Sequence, residues 1–92
     1  MKIEFDQAKS DKNEEERDLP FECAADFDWE GATFAEDDRK IYPERRFVAI
    51  GYFENRLHIL CFTHIPGGVR IISFRKANPR EAKRHGKPLT ID

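Results

Sequence analysis

Three strand-like runs joined by two tight turns confine this chain to folds built on an antiparallel sheet. Residues 45–53 and 56–65 read as strands across Glu54-Asn55, a two-residue hairpin connection. Pro66-Gly67-Gly68 turns the chain into a third run, where Val69, Ile71 and Ser73 alternate with Arg70, Ile72 and Phe74. Arg75 and Lys76 close that run. Asn78-Pro79-Arg80-Glu81 then starts a helix over residues 79–86, with Asn as N-cap, Pro at the first helical position and Glu three residues after the cap. Gly86 and Pro88 end it.

The first half is more helical. Residues 1–5 form a short first strand, and Asp6 caps a helix over residues 7–17 that is rich in Lys, Asp and Glu. Side-chain pairs such as Lys12 with Glu16, and one shallow contact face, are what can hold it. Leu19-Pro20 breaks it, and Phe21, Ala24, Ala25 and Phe27 have the spacing of a second short helix. A turn over residues 28–31 leads to a short strand at 33–36 and a polar connection at 37–43. The element order predicts a single α+β domain over residues 1–92, with helices stacked on one face of an antiparallel sheet and a C-terminal helix. In the run 56–65, Leu57, Ile59, Cys61, Thr63 and Ile65 form the more continuously apolar face and are expected to meet the helices. Arg56, His58, Leu60, Phe62 and His64 are then expected to face solvent or a ligand.

Charge is divided along the chain. Residues 1–44 carry 6 Lys/Arg against 15 Asp/Glu, and residues 45–92 carry 10 against 3, behind a net charge of −2. This asymmetry points to a phosphate-bearing partner on one surface and a basic protein on another, unless the halves fold together and neutralise each other. Ninety-two residues with 39% hydrophobic content and 8 Phe suffice for one core. No apolar run has membrane-spanning length and no leader pattern is present, so a cytoplasmic protein without a membrane partner is expected. Cys23 and Cys61 lack framework spacing and suit a reducing compartment. Cys61-x-x-His64 is half of a zinc pattern with no second half, so neither a metal nor a cofactor is expected.

A set of motifs runs through both halves. Phe5-Asp6 is followed by Lys9 and Asn13, then by Phe21, Ala24 and Phe27. Glu44-Arg45-Arg46-Phe47 leads to Ile50-Gly51, and Arg70-Ile71-Ile72-Ser73-Phe74-Arg75-Lys76-Ala77 is followed by Glu81. In these residues the chain resembles the BrnT family of ribonuclease toxins, whose fold is similar to that of the RelE toxins, over roughly residues 3–85. It departs from the family pattern at Glu16-Arg17-Asp18, where members commonly have Lys-His-Gly, and at His85, where many have Tyr.

The resemblance implies a RelE-like endoribonuclease toxin of a type II toxin–antitoxin system. Such a protein inhibits translation by metal-independent cleavage of mRNA through the substrate's own 2′-hydroxyl. That chemistry needs a base for the hydroxyl proton, cations for the phosphorane and an acid for the leaving 5′-oxygen. Arg46, Arg70 and Arg75 are the candidate cations, because the guanidinium fork grips two phosphate oxygens. His64, His85 and Glu44 are the candidate proton-transfer groups, and Arg45, Lys76, Arg80 and Lys83 the candidate RNA-binding cations. The resemblance also implies a BrnA-type antitoxin with a ribbon-helix-helix part, through which alone the toxin would meet operator DNA. The alternatives are a catalytically impaired homologue that binds the antitoxin and tunes repression, or a small RNA-binding module. In the latter, Phe47, Tyr52, Phe53, Phe62 and Phe74 would stack bases between basic strands.

Overall fold

The turn and cap signals set the element boundaries in this computed structural model, which describes residues 1–91. Strand β1 (Lys2–Phe5) is followed by helix α1 (Gln7–Arg17) and a single 3-10 helix (Phe21–Asp26). Strands β2 (Thr33–Asp37), β3 (Arg46–Phe53), β4 (Arg56–Ile65) and β5 (Gly68–Lys76) come next, and helix α2 (Pro79–Arg84) closes the order. Asp6 caps α1 through its carboxylate, which accepts the Lys9 amide at 3.0 Å. At the β3–β4 turn, Glu54 and Asn55 both take positive φ, 50° and 63°, as a two-residue hairpin requires.

The sheet order is β1-β5-β4-β3-β2. Four strands are antiparallel, but β1 runs parallel to β5, from Lys2 beside Gly68 to Phe5 beside Ile71. The sheet is therefore mixed rather than wholly antiparallel. A Cβ at Gly68 would collide with the Lys2 backbone, so glycine there permits the close approach of β1.

Both faces of β4 are covered, where one was expected to stay open. Leu60 and Phe62 of β4 join Leu19, Phe21, Ala24, Phe27, Ile71 and Phe74 in the main core, beneath the 3-10 helix. Leu57 and Ile59 instead pack with Ile50, Ala77 and Ala82 under α2 on the opposite face. The aromatic Phe62 fills more space than its aliphatic neighbours, and ring-on-ring packing with Trp29, Phe34 and Phe47 selects the thicker core. The helices consequently occupy both faces rather than one. His58, expected to be open, is buried between the rings of Phe53 and Phe74.

Polar pins dock α1, whose sequence has few apolar residues. Its buried residue is Ser10, which accepts the Phe21 amide at 2.8 Å. Asn13 donates to the carbonyls of Leu19 and Phe74 at 2.7 and 2.9 Å, tying the helix to β5. The two charge halves also meet directly, through Glu4 with Arg70 and Glu36 with Arg45. Part of the acidic–basic asymmetry is thus spent inside the fold.

Candidate functional site

An irregularity in β5 decides which cations share a face. Cys61 pairs with Ser73, but the next β4 residue, Phe62, pairs with Ile71, leaving Ile72 as a bulge. Strict alternation would place Arg70 and Arg75 on opposite faces, since their positions differ by an odd number. The bulge resets the phase, so Arg70 lies opposite Thr63 and Arg75 opposite Ile59. Both share the face that α2 covers. Arg46, in register with Asp37 of β2, lies on it too.

Helix α2 is anchored to this face by one carboxylate. Glu81 accepts both Nη groups of Arg75, at 2.9 and 2.8 Å, and the Asn78 amide at 3.0 Å, while the Asn78 side chain accepts the Glu81 amide at 2.8 Å. The expected capping box is present and is extended into a clamp by Arg75. The Arg75 hydrogen bonds hold the Glu81 carboxyl at about 2, from an ordinary value of 4.5. A depressed carboxyl pKa stabilises the fold above pH 4.5, and that contribution disappears as pH falls towards 2. Glu81→Gln should therefore melt earlier than the wild type at pH 7. The gap between the two melting temperatures should close as the pH is lowered through this window, and a gap independent of pH would disprove the linkage.

Across from α2, the chain leaving β2 forms a second organised corner. The buried carboxylate of Asp37 accepts Arg39 Nε and Nη2, both at 2.9 Å, and the Tyr42 hydroxyl at 3.2 Å. The Arg39 hydrogen bonds, helped by Tyr42, hold its carboxyl well below the usual range. Arg46 lies 4.2 Å from the centre of the Tyr42 ring, with Glu44 Oε1 3.6 Å from its Nε.

Between the two corners lies a cleft of about 250 Å³, floored by Val48, Ile50 and Ile59. Arg39 enters from one side, and Arg75, Arg84 and His85 from the other. Of the sequence-derived candidates, Arg75 and His85 meet here. Glu44, Arg45 and Arg46 line an adjoining depression that shares Asp37 with the cleft. Arg45 is held by Glu36 and sits over Phe47. Arg70 is held by Glu4 at 2.9 Å.

The remaining candidates lie elsewhere. His64 belongs to the other face, packed against Phe47 and Phe62, because its even position follows Leu60 and Phe62. Cys61 and His64 therefore project to opposite sides of β4. Lys76 pairs with His58 on the main-core side. Arg80 and Lys83 are exposed on α2. The sequence reading missed Arg39 and Arg84. The Asp37-x-Arg39 spacing, and the position of Arg84 three residues after Glu81 on one helix, are the signals that would have found them. Among the described residues, no three His, Cys, Asp or Glu side chains gather as a metal site.

Chemically, the cleft gathers three guanidinium groups and an imidazole with the carboxylates of Glu36, Asp37, Asp38 and Glu81 above an apolar floor. Arg39 and Arg75 are paired with Asp37 and Glu81, and a guanidinium fork of this kind can also grip two oxygens of a phosphate. The family model for "Ribonuclease toxin, BrnT, of type II toxin-antitoxin system" matches residues 5–81. No curated protein matches the chain.

Proposed function

Because this chain belongs to the BrnT family of ribonuclease toxins of type II toxin–antitoxin systems, we propose that it cleaves mRNA in the cleft between Arg39 and α2. The observation that carries this reading is the convergence of Arg39, Arg75, Arg84 and His85 on one pocket. In the proposed step, the 2′-hydroxyl loses its proton and its oxygen bonds to phosphorus. The P–O5′ bond then breaks, and the leaving oxygen takes a proton. The products are a 2′,3′-cyclic phosphate and a 5′-hydroxyl. The arginines stabilise the extra charge on the phosphorane, and His85 exchanges a proton with the reacting oxygens. Glu44 and Arg46 support the adjoining wall through Tyr42 and Asp37. No metal enters the step.

This family has an RNA substrate and an antitoxin partner. The finer reading is a RelE-like fold that inhibits translation in the cytoplasm, neutralised by a BrnA-type ribbon-helix-helix antitoxin. Operator DNA is then reached only through that partner. No helix among the described residues is long and apolar enough to cross a membrane. One observation favours the impaired alternative: Arg75 and Arg39 are already paired with Glu81 and Asp37.

The discriminating experiment uses purified protein and a defined RNA. Cleavage should survive EDTA and leave a cyclic phosphate, and a substrate with a single 2′-deoxy nucleotide at the cut position should resist. Equal cutting of the deoxy substrate, or loss of activity in EDTA, would overturn the internal-nucleophile mechanism. No cutting of any RNA, with antitoxin binding intact, would establish the impaired reading.

A further inference from the structure

The cleft on the α2 face is not isolated. Arg75 also lines a second depression of about 390 Å³, together with Lys76, Arg17 and Leu19. Arg17, Leu19 and Lys76 line in turn a third of about 340 Å³, which adds Arg56 and His58. Shared lining residues make the three depressions successive stretches of one groove. It passes from the α2 face, around the C-terminal end of β5, to the main-core side. Arg75 and Lys76 make the crossing possible, since neighbouring strand residues present their side chains to opposite faces.

The charges along this path are ordered. The middle stretch has three cations, Arg17, Arg75 and Lys76, and no carboxylate among its lining residues. The far stretch adds Arg56, whose Nη2 donates to the Ala77 carbonyl at 2.7 Å and whose Nε is buried without an acceptor among the described residues. Asp18 and Glu54 also line that stretch, and their negative charge ends the favourable path. Burial lowers the pKa of His58 in its floor, against the hydrogen bond that Nδ1 donates to the Arg56 carbonyl at 2.8 Å, which raises it.

From this continuity we infer that the groove is a track for a single RNA strand, in which Arg17 and Lys76 hold backbone phosphates of nucleotides flanking the cleaved bond. The inference rests on the ribonuclease reading of the α2-face cleft. It adds Arg17, the last residue of α1, as a positioning residue. A free phosphate would need only one depression, whereas a polyanionic chain can use cations placed in successive ones, most favourably in the middle stretch, which has no carboxylate. The acidic total charge does not oppose binding, because the cations are local to the groove and the Debye length is only about 8 Å at physiological salt.

The test measures binding of a single-stranded 2′-O-methyl RNA, which cannot cleave itself, by fluorescence anisotropy across a salt series. Arg17→Ala and Lys76→Ala should each reduce the log–log salt slope by about 0.7, and the double variant by about 1.4. Both residues are exposed, so thermal melts should match the wild type. Wild-type binding with an unchanged slope in the double variant would overturn the track and leave the cleavage cleft standing. A wild type that binds no RNA at low salt would overturn both readings. Inorganic phosphate that raises the melting temperature through Arg17 and Lys76, with the RNA slope unchanged, would assign the groove to free phosphate and also overturn the track.

Discussion

Arg75→Ala is expected to lower RNA cleavage by about 100- to 1000-fold, the usual cost of removing one preorganised donor from a developing oxyanion. Arg75 contributes twice. It lines the cleft proposed for cleavage, and through its bidentate bonds to Glu81 it holds α2, with Arg84 and His85, above the sheet. The alanine variant should remain folded, because Glu81 keeps its capping bonds with Asn78, and breaking a charged hydrogen bond typically costs about 1.5–3 kcal/mol. Growth arrest on induction should be lost while co-purification with the antitoxin persists. Arg75→Lys separates the two contributions, since it keeps the charge without the fork. It should recover more of the melting temperature than of the rate. Full toxicity of Arg75→Ala would remove this residue from the site.

Ile71→Asp should abolish folding, and with it cleavage and antitoxin binding. Ile71 is 2% exposed, lies between Phe5 of β1 and Phe62 of β4, and belongs to the main core. An unpaired carboxylate there costs several kcal/mol, against a total stability of roughly 5–15 kcal/mol for a domain. A circular-dichroism melt should show no cooperative transition at neutral pH. A native-like transition would mean that the sheet centre tolerates charge, contrary to the packing described.

The local chemistry of the chain was legible where a few adjacent residues decide it. Asp6, Asn78 with Pro79 and Glu81, and Glu54-Asn55 fixed their caps and turn, because those signals act within one turn of backbone. Three features depended on distant partners. The parallel seat of β1 needs Gly68, many residues away, and the preference of α2 for the second face comes from Ala82 meeting Ile50 and Leu57. The third is the bulge at Ile72. No residue around it is a bulge marker, yet it decides that Phe74 joins Ile71 in the core and that Arg75 joins Arg70 on the other side. Strand alternation read as unbroken therefore mixed the faces in this segment. Arg75 and His85 were identified because they stand at element ends, whereas Arg39 enters the cleft only through its bond to Asp37.

The position of β5 between β1 and β4 has a consequence for the timing of synthesis. On the ribosome, β1 emerges at the start, but the strand it must lie against emerges more than sixty residues later. The second face of the sheet then waits further for α2, whose residues follow β5. Non-local pairings of this kind close late, after the loops they span have been ordered. A growing chain therefore carries Arg39 and the β3–β4 hairpin long before it carries the complete cleft. A chain terminated before β5 and α2 lacks Arg75, Arg84 and His85, and with them one whole side of the cleft.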